Sequence, residues 1–290
     1  MNLNSKTIRF DEAIESPRRE HPNLRRDFRE NELRLISDLR MAREVQRQLL
    51  PREARNVPGV DLAAACVPAR ELGGDFYDFL PYGSGRLGLA LGDVSGKGTA
   101  AALLGALAMG IFRAHTVDRA GSPPEVLAAL NDRIHAVGFD ARFVVMLFAV
   151  LDSGTRQLTL ANAGSPYPFL LRSGRVEEIA VAGTPLGLLE GTRYDPVSLD
   201  MRLGDVFVFA SDGILECQNR EQEAFGAGHL AAVLTSLPQD APAKDISSAI
   251  LNATDEFSHE TPVQNDDRSL IVFRLTGELR ADFSGLPVIY

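Results

Sequence analysis

In two places along this chain an apolar, strand-like run stops at an aspartate with glycine beside it. They are Leu89-Ala90-Leu91-Gly92-Asp93-Val94-Ser95-Gly96 and Val206-Phe207-Val208-Phe209-Ala210-Ser211-Asp212-Gly213. An aspartate at a strand end projects its carboxylate from a sheet edge, where ions and ligands reach it. Glycine beside it lets other backbone come close. Two more acidic motifs accompany these, Gly73-Gly74-Asp75-Phe76 and Asp266-Asp267. A single Asp-Gly after a strand is ordinarily a turn. The conjunction of the motifs points instead to carboxylates gathered around metal.

Mg²⁺ and Mn²⁺ are hard ions that take oxygen ligands and keep several waters. Several carboxylates converging without cations would repel and shift each other's pKa. A pair of ions about 3.5–4 Å apart removes that conflict, activates water and neutralises charge in an in-line displacement. The expected chemistry is phosphoester hydrolysis with two Mn²⁺ or Mg²⁺ ions held by Asp75, Asp93, Asp212 and an acid of the Asp266-Asp267 pair.

Charge narrows the partners. The chain of 290 residues carries a net charge of −9. Residues 1–50 hold 11 basic and 9 acidic residues, so the acidic excess lies wholly in the rest. An acidic body argues against general nucleic-acid binding, which needs a basic footprint. A phosphorylated substrate remains compatible where cations stand between carboxylates and phosphate. No apolar run of about 18 residues predicts a membrane span, and the first 15 residues have no secretory h-region. Two distant cysteines, Cys66 and Cys217, make neither a disulfide framework nor a zinc site. A cytoplasmic protein without membrane insertion is expected.

Residues 1–23 read as a disordered lead-in and 24–50 as a helix stopping before Pro51. Residues 51–276 read as the catalytic domain and 277–290 as a tail. In the helix, Leu35, Leu39, Ala42, Gln46 and Leu49 follow a coiled-coil spacing, which suits either a homodimer seam or packing on the chain's own domain. Strands are predicted at 60–67, 86–93, 142–151, 156–162, 166–171, 205–211 and 268–275, and helices at 99–116, 123–137, 225–236 and 243–258. Ser122 reads as an N-cap before Pro123. Grouped strands and paired helices predict α+β layers. The helix from 99 carries Gly105 and Gly110 in a run of small and apolar residues, which suits plain core packing or control of the nearby Asp93 loop.

Two lookalikes fail. Gly92-Asp93-Val94-Ser95-Gly96-Lys97-Gly98 has the wrong spacing for a phosphate-binding P-loop and lacks its final Ser or Thr. Gly73-Gly74-Asp75-Phe76 echoes a diguanylate cyclase signature, but Phe76 stands where an acidic residue belongs. The ordered series AREVQRQLLP, ELGGDFYDF, GDVSGKG, FVVMLFAVLD, LTLANAG, GTPLG, GDVFVFASDGILE and NDDRSL resembles the PPM family of protein phosphatases, in its SpoIIE/RsbU-type bacterial branch. The match runs over residues 33–276.

The resemblance implies a four-layer α-β-β-α sandwich with two central, mainly antiparallel sheets. It implies that Asp93 bridges both ions and that Val94 gives its carbonyl to one of them. Asp212 and Asp266 match ligands of the other ion, and Asp75 matches an acidic residue near the first. Asp266 rather than Asp267 fits the ligand position. The implied function is a serine/threonine phosphatase acting on a phosphorylated STAS-type regulator in partner-switching signalling, with input from an upstream activator protein. The rival readings are a small-molecule metal phosphoesterase and a non-catalytic dimeric scaffold. Two departures stand out: Val94-Ser95 follow Asp93 where the wider family often has histidine, and Ser165 follows Asn162-Ala163-Gly164 where this branch usually has histidine. None of His21, His115, His135, His229 and His259 lies in a metal motif.

Overall fold

The computed structural model describes residues 22–51, 59–82, 85–118, 121–138, 142–259 and 266–277. Most of the expected lead-in and nearly all of the expected tail lie outside these residues. Contacts divide the chain into residues 1–41 and residues 42–290. Helix α1 (Pro22–Leu49) begins two residues before the predicted start, with proline in its first turn, a position proline tolerates. In the first unit Leu33, Leu35, Ile36 and Met41 of this helix are exposed.

The second unit contains the end of α1 and all later elements. They are β1 (Val60–Val67), β2 (Phe76–Pro81), β3 (Arg86–Val94), α2 (Thr99–Asp118), α3 (Pro123–Val137), β4 (Val144–Asp152) and β5 (Gln157–Ala163). Then come β6 (Phe169–Arg172), β7 (Arg175–Glu178), β8 (Val197–Asp200), β9 (Val206–Ala210), the single turn α4 (Asp212–Leu215), α5 (Gly226–Ser236), α6 (Ala243–Phe257) and β10 (Arg268–Leu275). They make two five-stranded sheets, ordered β1-β10-β9-β6-β7 and β2-β3-β4-β5-β8. Among the described residues every strand pair is antiparallel.

Period-two alternation sorts the side chains into layers. Leu87, Leu89 and Leu91 of β3 face Phe207 and Phe209 of β9 and Ile271 and Phe273 of β10 in the core between the sheets. The alternate residues Ala90 and Val94 face α2 and α3, where they meet Leu104, Phe112, Leu127 and Leu130. Val206, Val208 and Ala210 face α5 and α6, against Leu230, Ile246 and Ile250. Both faces of the central strands are therefore buried, which explains their unbroken apolar runs. The result is the expected four-layer α-β-β-α sandwich.

Local signals end the elements where they should. Ser122 precedes α3; its backbone N–H and hydroxyl both donate to Glu125 Oε2, at 2.7 and 2.9 Å. Gly138 closes the helix in the left-handed region at φ 71°. Turns at Asp152-Ser153-Gly154 and Ser173-Gly174 join β4 to β5 and β6 to β7. The sequence reading did not predict β2, β7, β8 or α4. The last three have four residues each, and β7 is a solvent-facing edge strand. Too few positions alternate there to give a periodic signal. Helix α2 buries Ala101, Leu104, Ala108, Met109 and Phe112 but leaves Leu103 68% and Leu107 38% exposed.

Candidate metal centre

Each sheet delivers two of the predicted acids to one end of the sandwich. Asp75 immediately precedes β2, and Asp93 is the penultimate residue of β3. Asp212 opens α4, directly after β9 and Ser211, and Asp266 lies two residues before β10. Asp93, Val94, Asp212 and Asp266 line one cleft of about 360 Å³, together with Lys97, Ser165 and Glu216. Asp75 lies behind it, buried beside Asp93.

The backbone at the cleft is held by a set of side-chain hydrogen bonds. Asp267 is buried; its Oδ1 accepts the Ala69 N–H at 2.8 Å and its Oδ2 accepts the Gly74 N–H at 2.6 Å. It staples the turn carrying Asp75 to the start of β10. Consecutive acids thus do opposite things: Asp266 faces the cleft and Asp267 faces inward. Ser211 Oγ accepts the Ser269 N–H at 2.9 Å and ties the Asp212 turn to the same strand. A Cβ at Gly213 would run into the Asp267 carbonyl, so only glycine fits this approach. Ser95 extends the β3–β4 pairing, with its N–H donating to Phe143 O at 3.0 Å and its Oγ accepting the Phe143 N–H at 2.9 Å. Asn162 fixes the opposite wall, donating to Ser165 O and Val181 O at 2.8 Å each.

Crowding of like charge marks the site. Burial foremost, with the charges of Asp212, Asp266 and Asp267, pushes the Asp93 carboxyl up to about 7, against a hydrogen bond from Asp75 that lowers it. Burial and then the Asp93 charge raise Asp75 well above the usual carboxylate range. Burial, Asp266 and Glu216 raise Asp212. Asp75 Oδ2 is buried with no hydrogen-bond partner. Lys97 Nζ stands 2.9 Å from Asp266 Oδ2, a cation already seated on a predicted ligand.

These observations fit divalent ions. Among the described residues no three His, Cys, Asp or Glu side chains close into a ready cage. An open set of carboxylates suits an ion that keeps several waters and takes only one or two carboxylates. Bound there, ions would relieve the repulsion at Asp93. Sequence reasoning missed Glu216 and the Lys97–Asp266 pair, because both arise from approach between separate turns. It weighed Asp267 against Asp266 as a ligand, but no local signal showed its role as a staple. None of the described histidines lines the cleft, and His21 is outside the described residues. Cys66, whose thiol burial pushes up to about 12, donates to Asp75 O at 3.8 Å and is no nucleophile at neutral pH.

The family described as Stage II sporulation protein E (SpoIIE) matches residues 83–276. This chain belongs to the SpoIIE family. The matched stretch includes Asp93, Asp212 and Asp266, while Asp75 precedes it. This SpoIIE-family chain is 30% identical over 186 residues to Phosphoserine phosphatase RsbU of Bacillus subtilis (strain 168), covering 63% of the chain and 54% of that protein. It is 26% identical over 230 residues to Protein IcfG of Synechocystis, covering 69% of the chain and 36% of that protein. The chain therefore spans little more than half the length of the first relative and less of the second. In fold it is similar to the SiaA-PP2C domain of Pseudomonas aeruginosa, with a TM-score of 0.75 at 22% identity over 84% of this chain and 98% of that one. It is also similar to a structure of the RsbU and RsbW domains of a Mycobacterium tuberculosis protein, with a TM-score of 0.63 at 27% identity, covering 77% of this chain and 62% of that one.

Proposed function

We propose that this chain is a divalent-metal-dependent protein phosphatase that hydrolyses phosphoserine or phosphothreonine on a regulatory protein. The observation that carries the reading is the meeting of acids from both sheets at one cleft, where burial and then the neighbouring acids push the Asp93 carboxyl up. Asp93, the Val94 carbonyl, Asp212 and Asp266, which line the cleft together, would hold the ions. Asp75 would hold the Asp93 carboxylate from behind. The ions, Mn²⁺ or Mg²⁺, would supply Lewis acidity and an activated water. The chain's own part is to orient the carboxylates, through Asp267 and Ser211, and to shape the wall that meets the phosphoprotein, through Phe143, Ser165 and Pro166.

The substrate class follows from kinship. A relative is a phosphoserine phosphatase, and the Mycobacterium tuberculosis structure joins RsbU and RsbW domains in one protein. By this reading the substrate is a phosphorylated STAS-type regulator in a partner-switching path. The helix of residues 24–50 would take input from an upstream protein or from a second copy of the chain. Two free cysteines suit a reducing cytoplasm.

Phosphate release from a phosphoserine-bearing STAS protein, measured with Mn²⁺ and again after chelation, tests the proposal. Metal-dependent release supports it. Release from p-nitrophenyl phosphate alone favours a small-molecule phosphoesterase. Phosphoprotein binding without release under either condition favours a scaffold.

A further inference from the structure

We propose that Lys97 is a tethered counter-ion that occupies Asp266 and must be displaced before a divalent ion binds there. The inference rests on the metal reading of the cleft and concerns this chain's own residue within it.

Three observations carry it. The ammonium is 2.9 Å from Asp266 Oδ2, and both side chains line the cleft. The pair joins the two halves of the site: Lys97 lies in the turn after β3, while Asp266 precedes β10 of the other sheet. Finally, Lys97 is flanked by Gly96 at φ 101° and Gly98 at φ 73°, so its backbone follows a course that side-chain-bearing neighbours would resist. That turn aims a long, flexible chain back across the cleft.

Stability does not account for such a pair. The side chains are 40% and 38% exposed. Ion pairs this exposed contribute little to folding. Their placement matters for competition instead. A carboxylate already neutralised at 2.9 Å is a weaker ligand, and an arriving dication meets a resident positive charge. Lys97 therefore lowers the affinity of the Asp212–Asp266 half of the site. Once displaced, the ammonium stays tethered within the cleft. Gly98 O accepts the Ala102 N–H at 3.0 Å, so the turn bearing Lys97 runs directly into the first turn of α2.

The test is calorimetric titration of the full chain with Mn²⁺ alone, without substrate. The comparison is between wild type, Lys97→Gln, Lys97→Met and Lys97→Arg. Both neutral variants are expected to bind Mn²⁺ about three- to tenfold more tightly, the range set by losing an exposed pair and its repulsion of the ion. Lys97→Arg, which keeps the charge, is expected to stay near wild type. Equal or weaker Mn²⁺ binding in both neutral variants, with wild-type melting after chelation, overturns the inference. Asp93→Asn separates the two readings. If it abolishes wild-type Mn²⁺ binding while the Lys97 variants show no gain, only the role of Lys97 fails. If no form of the chain binds Mn²⁺, the metal reading fails as well.

Discussion

Gly105 of α2 lies against the main-chain carbonyl of Gly74, the residue before Asp75. A methyl group at position 105 would stand 2.8 Å from that oxygen and 3.6 Å from Val94 Cγ2. Gly110, one and a half turns further along the helix, has nothing within 4 Å of the same construction. The sequence treats the two glycines alike, but the structure does not. Gly105→Ala must push the helix or the Asp75 turn, because the obstacle is backbone. We expect it to raise the Mn²⁺ concentration for half-maximal turnover several-fold. Gly110→Ala should leave that concentration unchanged and stabilise the helix by about 0.8–1 kcal/mol. Mn²⁺ titration of turnover and thermal melts of both variants decide this.

The neighbouring acids 266 and 267 should separate stability from ion binding. Asp267→Ala leaves the N–H groups of Ala69 and Gly74 without their acceptor. The expected cost is about 1–3 kcal/mol of folding stability. Asp266→Ala removes a half-exposed carboxylate from a crowded cleft, so its melting point should change little while Mn²⁺ affinity falls. Denaturant unfolding beside metal titration checks the contrast. Equal losses of stability would contradict the division of labour.

Chelated protein should become less stable as pH rises. The Asp93 carboxyl titrates at about 7 in the fold, above its unfolded value of about 3.9. Its contribution is fully present below the unfolded value and is lost as pH rises through 7, because the fold then holds a charge it disfavours. Asp75 and Asp212 shift in the same direction. Melting temperature in chelator is therefore expected to fall between pH 5 and 8. Asp93→Asn should flatten much of the slope, and Mn²⁺ should restore the wild type at pH 8. A melting point that climbs with pH would refute this account.

Arg113 ties α2 to the end of α1. Its Nε donates to Asp78 Oδ2 at 2.6 Å and its terminal nitrogen donates to Leu49 O at 2.7 Å. The two side chains of the ion pair are 16% and 5% exposed. Arg113→Ala leaves a buried carboxylate unpaired, at an expected cost of about 3–5 kcal/mol. Asp78→Asn combined with Arg113→Ala should recover part of that loss, which a double-mutant cycle measures.

Long strands with apolar runs were legible: the buried β10 and the half-buried edge strand β1 both fall on the residues predicted for them, and α3, announced by Ser122 and Pro123, matches at both ends. β2 escaped because Asp78 and Pro81 interrupt its aromatic residues, and Asp78 is affordable there only through Arg113, 35 residues away. The acids of the cleft were visible as strand-end motifs. Their electrostatic coupling, the staple at Asp267 and the Lys97–Asp266 pair were not, since each depends on turns that meet only after the two sheets stack. Gln46 is the clearest example. A polar residue in an apolar seam suggests an oligomer signal, yet its side-chain amide is spent on both backbone groups of Gly73, at 2.7 and 3.3 Å.

Because two of the four acids ride on each sheet, the layer of Leu89, Leu91, Leu147, Phe207, Phe209 and Phe273 between the sheets works as a spacer gauge. Its thickness sets how far the Asp75–Asp93 arm stands from the Asp212–Asp266 arm. A change of one or two methylenes deep in that layer, remote from any solvent, alters the gap between the two pairs of acids. Cavity-forming substitutions there should therefore detune metal selectivity, smaller ions gaining on larger ones as the jaws close, even in variants that remain folded.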